Sequence, residues 1–406
     1  MADYGSPQPA DRYHAHFEQE TVFGVENAGF PAAAKAIRLE TGSTYVAQRV
    51  EIPDATLKED DGSDESGVGD PEVSLSAVVK AEGLTTPAGD GVTAGETALT
   101  WMAECALGED SALYAGALAA AGATTSAITQ VTGAADFATN SVAVFTTTAG
   151  LEARHVQDAT ALLLTTSMTL SSAPALNSVI YGTNVIPILR SHAGTVTQTL
   201  QVGLKDPLQA FNRRLYGLGC SGFELQDAAK GAHRNLKFDF MGADFGRGAA
   251  LAVTQPSAAR GRSGTNRQLW LAPIGSAQTA TRFNVFQFSF KTNHNTQEVP
   301  TDGNGLANAG YNYILSPEIV FEVYENSVAV GSAGNWMEAW EDGSTDNQFQ
   351  VMFQSGRTAG RMIGVDLVNV LINRPAANNQ NGRRTYICTG KCRTGTAANF
   401  GNLWFA

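Results

Sequence analysis

Along much of the chain, apolar and polar residues alternate one by one. In Thr44-Tyr45-Val46-Ala47-Gln48-Arg49-Val50-Glu51-Ile52, Tyr45 opposes Val46, while Val50 and Ile52 share a face. Alternation with β-branched residues marks a strand buried on one side. Similar strand signals run through 36–39, 73–79, 195–202, 222–226, 235–240, 283–290, 319–324, 348–353, 365–372, 384–389 and 402–405. Ala229-Lys230-Gly231 predicts a turn that makes 222–240 a hairpin. Shorter strand signals at 141–145, 153–156, 161–164 and 179–182 are spaced as in a small β-barrel. One segment has the helical period instead. Across 97–108, Ala98, Met102 and Cys105 form a stripe with Trp101 at its edge, and Gly108 supplies a stop. Residues 114–135 are rich in Ala, Gly and Thr and carry little pattern.

These elements predict a mainly β protein with few short helices and a small β insertion. Residues 1–30 read as a polar N-terminal arm, 31–245 as a first β-barrel half with an insertion at about 133–184, and 246–267 as a linker. Residues 268–406 then read as a second β-barrel half, with loops at 293–311 and 325–347.

Charge changes this picture in one place. Residues 51–72 hold nine acids against Lys58 alone. Such a block repels itself and stays extended, so it is expected to be a long solvated loop between two strands. Its carboxylates Asp54, Glu59, Asp60, Asp61, Asp64, Glu65 and Asp70 are the candidate contact residues toward another copy of the chain. Asp60-Asp61-Gly62-Ser63-Asp64-Glu65 is rich in oxygens but lacks the residue order of a calcium loop. The segment 205–267 is net basic, with ten Lys/Arg and five Asp/Glu. Its arginines are interleaved with Gly and Ser rather than aromatics. That composition fits a contact with the acidic loop of another copy at least as well as it fits nucleic acid.

With 406 residues the chain can bury one large core or two ordinary ones. Only 16% of residues are charged, which excludes a solvated disordered chain and a coiled coil. The net charge of −12 argues against a protein that grips phosphates. The start, Met1-Ala2-Asp3-Tyr4-Gly5-Ser6-Pro7, lacks the basic and apolar regions of a signal peptide, so folding is expected in a cytoplasm. Cys105, Cys220, Cys388 and Cys392 are too sparse for a disulfide framework and are expected to be free thiols.

Motifs for chemistry are weak. Gly217, Gly219 and Gly222 match Gly-x-Gly-x-x-Gly with Asp239 downstream, but a hairpin rather than a helix comes after them, so the glycines read as a turn into a strand. Cys388 and Cys392 lack the second ligand pair that structural zinc needs. His14 and His16 read as solvated, and His155, His192, His233 and His294 are scattered. Neither a catalytic residue nor a metal or other cofactor is expected.

The last third carries a resemblance. Glu318-Ile319-Val320-Phe321-Glu322-Val323-Tyr324, Gln350-Val351-Met352-Phe353 and Arg357 through Leu371 succeed one another. Asn381-Gly382-Arg383-Arg384-Thr385-Tyr386 and a terminal Asn402-Leu403-Trp404-Phe405 close the chain. This order resembles the C-terminal half of tail tube proteins of long, non-contractile (siphovirus-like) bacteriophage tails. Gly217 through Leu225 is similar to the family's turn into a strand, and 136–181 to a small β insertion seen in some members.

The resemblance implies a structural virion protein, made in the host bacterial cytoplasm. It implies rings of six barrels that stack into a tube, contacts with terminator and distal tail or tip proteins, and passage of viral DNA without specific binding. Two barrels per chain would make the rings trimers with pseudo-sixfold symmetry, with hexameric rings as the alternative. Other readings are a capsid decoration or head–tail adaptor protein, and a β-scaffold polysaccharide-degrading enzyme with two carboxylates in a cleft.

Overall fold

The computed structural model describes residues 14–28, 30, 34–40, 42–52, 67–80, 97–108, 110–130, 137–160, 162–193, 199–205, 211–227, 234–249, 267–300, 308–324, 348–373, 375–395 and 399–406. Among the described residues there are 26 strands, numbered in chain order, and one helix. The fold is mainly β, as the alternation predicts.

Eight antiparallel strands form the first layer. They run in the order β3 (Thr44–Ile52), β4 (Gly67–Lys80), β16 (Arg234–Gly242), β15 (Phe211–Asp227), β20 (Val285–Pro300), β21 (Asn308–Tyr324), β25 (Arg383–Cys392) and β24 (Ala376–Gln380). Seven strands form the second layer. Their order is β5 (Ala112–Leu113), β12 (Asn184–Leu189), β26 (Asn399–Phe405), β23 (Ile363–Ile372), β22 (Gln348–Ser355), β18 (Arg267–Pro273) and β19 (Thr281–Phe283). The layers are joined where Val370–Ile372 pair with Gly390–Cys392.

The core lies between them. Leu75, Phe238, Phe223, Phe290 and Ile319 come from the first layer, and Leu269, Val351, Leu367, Val365 and Leu403 from the second. Phe288 and Phe353 stack across the gap with centroids 3.7 Å apart. First-layer strands alternate cleanly because their other face is open to solvent. Second-layer strands read Leu269-Trp270-Leu271, Val351-Met352-Phe353 and Leu403-Trp404-Phe405 because Trp270, Met352 and Trp404 are buried in a second cluster on the far side. A strand covered on both faces is a continuous apolar run.

That second cluster receives the insertion. Strands β6 (Ala117–Leu118), β11 (Val179–Tyr181), β8 (Ser141–Thr147), β9 (Gly150–Thr160), β10 (Leu163–Thr166) and β7 (Ala127–Thr129) pair in this order. A bridge between Ala119 and Gln130 closes them into a small barrel with its own core of Ile128, Phe145, Val156, Leu164 and Ile180. The insertion thus begins earlier than the predicted 133, because the weakly patterned stretch after residue 114 supplies β6 and β7.

A third group consists of β2 (Lys35–Arg38), β1 (His14–Gln19), β14 (Leu200–Lys205), the first part of β15 and β17 (Asp244–Ala249). The predicted solvated arm is therefore half right at most. Residues 1–13 lie outside the described residues, whereas Ala15, His16 and Phe17 are buried. His16 is not solvated. Its neighbours in sequence, Ala15 and Phe17, enter the core and draw the segment into the sheet.

Helix α1 (Ala98–Leu107) starts at Thr97, whose Oγ1 accepts from Thr100 N–H, and ends at Gly108 in the left-handed region. Every one of its ten residues is buried, not a single stripe. Even Glu104 is inside, accepting from Gln19 Nε2 at 2.6 Å and from Ser111 N–H at 2.9 Å.

Three other expectations change. Residues 293–311 are not a loop, since β20 runs to Pro300 and β21 starts at Asn308; the predicted loop 325–347 lies outside the described residues. The predicted linker opens with β17, and residues 250–266 lie outside the described residues. The stretches before and after residue 250 do not hold separate cores. β15 pairs with β20, β13 (Ser191–Ala193) with β21, and β12 with β26. Asp227 in the first stretch also takes Arg267 Nε at 2.7 Å and the Ser355 hydroxyl from the second.

Candidate assembly surface

The first layer turns one face away from the core, and register determines which residues share it. Residues directly opposite in an antiparallel ladder point to the same side. Lys237 faces Glu224, Glu224 faces Lys291, Lys291 faces Glu318, and Glu318 faces Lys391. Charge therefore alternates in one row across five strands. Asp239, next on this face of β16, holds Lys237 at 2.9 Å, which makes the group of six neutral. Each opposite-charge neighbour contributes roughly 0.2–1 kcal/mol.

Around this row the face is mostly polar and uncharged, although Ile314 and Val320 are exposed on it near Glu318. The adjacent row reads Ser76, Asp239, Gly222, Asn293 and Ser316. Ser76 Oγ donates to Asp239 at 2.7 Å, and Ser289 and Gln226 donate to Glu224. Asn295 and Gln297 continue the polar positions along β20 and are exposed. An apolar layer at this place would collapse onto another layer. This one is built to meet water.

The two ends of the layer are edges. Among the described residues β3 pairs with β4 alone, and β24 with β25 alone. Unpaired edges are templates for further strands unless charge or Pro blunts them. β24 carries no charge within Ala376-Ala377-Asn378-Asn379-Gln380. It is held in place by Glu322, whose buried carboxylate accepts from Asn378, Gln380, Thr385 and Gln287.

Two long hairpins leave this layer at one end. The β3–β4 ladder runs out to Ile52 opposite Gly67, and the β20–β21 ladder to Pro300 opposite Asn308. The β15–β16 pair closes at the other end, since Asp227 faces Arg234. Of the candidate contact carboxylates, Asp54, Glu59, Asp60, Asp61, Asp64 and Glu65 lie outside the described residues. Asp70 is in β4, so the acidic run is partly strand rather than wholly loop. The β-branched and apolar residues of 44–52 extend the ladder further than the charge pattern suggests.

Of the basic segment 205–267, the four cations with described side chains are engaged within the chain. Arg214 pairs with Glu26, Arg267 with Asp227 and Lys237 with Asp239, while Arg213 lies over the Tyr45 ring at 5.5 Å. The glycine motif is no turn and no phosphate loop. Gly217, Gly219 and Gly222 sit inside β15, where the strand leaves β14 and β17 and joins β16 and β20. Gly217 has φ +61°, and a Cβ on Gly219 would lie 2.1 Å from the Tyr311 ring.

The thiols are free, and none of the four cysteines is in a disulfide. Burial pushes all four thiols up, so they are held as unreactive S–H groups. Among the described residues no three His, Cys, Asp or Glu side chains gather as a metal site would need.

Two features escaped sequence reasoning. The charge row joins Lys237, Glu224, Lys291, Glu318 and Lys391 from five strands, and only the register brings them side by side. His155 and Asp366, 2.6 Å apart and buried, are separated by 211 residues. Neither family models nor curated proteins match the chain.

Proposed function

We propose that the chain is a structural virion protein whose copies close into rings and stack as a phage tail tube that conducts DNA. The observation that carries this reading is the open, polar, charge-alternating face of a wide antiparallel layer with unpaired strands at both edges. Closing a sheet around an axis removes its edges. Pairing β3 of one copy with β24 of the next would extend the layer around such an axis. A channel for DNA must not bind phosphates, whose contacts are strong and independent of sequence. A face on which every Lys has a carboxylate neighbour offers no such grip. In this reading the insertion, packed against the far side of the second layer, would stand on the outside of the tube.

One shared core per chain favours one chain per sixth of the ring. The proposed rings are hexamers, the alternative to the trimers expected from two separate barrels. In this reading the chain has no catalytic role, and the tail's terminator and distal tail proteins would meet the free ends of the stack. Electron microscopy of the purified, concentrated protein tests it. Long hollow tubes are expected, and particles that remain single at all concentrations would contradict it.

A further inference from the structure

The edge of β21 changes partner along its length. Asn312–Ile314 pair with β13, and Glu318–Tyr324 pair with β25. Between them Leu315 N–H donates to Arg190 O at 2.9 Å. The gap is a cleft of about 550 Å³. Arg190, Lys391 and Arg393 line it against a single carboxylate, Glu318, over a floor that includes Pro317 and Phe400. All three cations are exposed, and none has an ion-pair partner among the described residues.

We infer that this cleft is the docking site for the acidic segment 53–66 of a second copy of the chain. The inference rests on the tube reading for its biological sense, but the contact itself does not need a tube. Charge complementarity identifies the occupant. Residues 53–66 carry six acids against Lys58 in a chain where most other charges are interspersed. Arg213, Arg214, Lys237 and Arg267 of the 205–267 segment are engaged within their own chain, whereas Arg190, Lys391 and Arg393 stand together in the cleft.

Reach requires that the occupant come from another copy. The cleft lies at the row of Ser316, which runs through Asn293, Gly222 and Asp239 to Ser76. Gly67, where the acidic segment rejoins β4, is nine residues from Ser76, or about 30 Å at strand rise. Four strand spacings add about 19 Å sideways. The path is thus about 35 Å, while a 14-residue excursion that must return to its own hairpin reaches about 24 Å. The hairpin also points away from its own cleft.

The test is a titration of labelled synthetic peptide 53–66 into the full-length chain, with Arg190→Glu/Arg393→Glu and Lys391→Glu variants compared after their melting curves are matched. Binding to the wild-type chain at about 50 mM salt should weaken at least about tenfold at 500 mM salt, where screening is short-ranged. It should weaken at least as much in the double variant at low salt. In the full chain, Asp60→Lys/Asp61→Lys/Asp64→Lys should lose self-association and regain it when mixed with the double variant. No peptide binding, or equal binding by wild type and double variant, overturns the inference. Binding by a chain that never forms tubes upholds the contact and rejects the tube, and normal tubes without peptide binding do the reverse.

Discussion

Glu20 shows how tightly single residues are committed in this fold. Its carboxylate accepts from Gly217 N–H at 2.6 Å, Gly24 N–H at 3.1 Å and the Thr199 hydroxyl at 2.8 Å, and so ties β1 to the bend of β15. Burial outweighs these bonds and pushes its pKa up to about 7. A carboxyl with a raised folded pKa favours the folded state when protonated. Its contribution is complete below about 4.5 and is lost as pH rises through 7, on the order of 3 kcal/mol. Urea midpoints should therefore fall from pH 4.5 to 7.5, and the Glu20→Gln chain should lose most of that slope. An unchanged slope would mean that Glu20 is not the group.

His155 acts in the same direction between the insertion and the second layer. Burial alone would push its pKa down, but Asp366 beside it carries the imidazole above its usual value. Its stabilising effect is thus present below about pH 6.5 and lost as pH rises through the raised value. Asp366 also accepts from Asn402 Nδ2. Asp366→Asn should remove the effect, seen as faster amide exchange in β8 and β9 below pH 6.5 with little change at high pH. Equal exchange in both chains at low pH would contradict this role.

At the scale of elements, the legible part of the fold is the part with one face in water. β4, β16 and β21 alternate because the pleat puts successive residues in core and solvent, so their positions can be read from sequence. α1 is legible through Thr97 and Gly108, which cap it, but not in its complete burial. Strand partners are not legible. Nothing local in Gly217-Leu218-Gly219-Cys220 says that one strand serves two sheets, and the glycines read as a turn. Their reason is steric, and Gly219→Ala should cost about 1–3 kcal/mol by driving a methyl into Tyr311. A chain as stable as wild type would show that the strand can shift there.

The edge strand β24 makes a separate prediction. Ala377 and Asn379 are exposed on it and belong to no core group. Ala377→Lys/Asn379→Lys should leave the melting temperature nearly unchanged, because such surface changes stay within about 0.5 kcal/mol. It should abolish lateral association measured by sedimentation, because charge blunts an edge. Association at the wild-type level would remove β24 from the interface.

For the whole molecule, the layers matter more than the order of strands along the chain. The strand signals on either side of residues 246–267 suggest two barrels, yet Asp227, Arg267 and Ser355 meet across that division. Long-range pairing of this kind leaves no local signature, so the number of cores is not readable from periodicity. What results is a molecule with an open polar face on one side, a buried double layer, and a docked small barrel on the other side. The most direct measurement is a helical reconstruction of assembled protein by electron cryomicroscopy. The account predicts six chains per ring, β3 joined to β24 of the next chain, and Lys237, Glu224 and Lys291 facing the lumen. Tubes with this row on their outer surface, or rings of three chains, would contradict it.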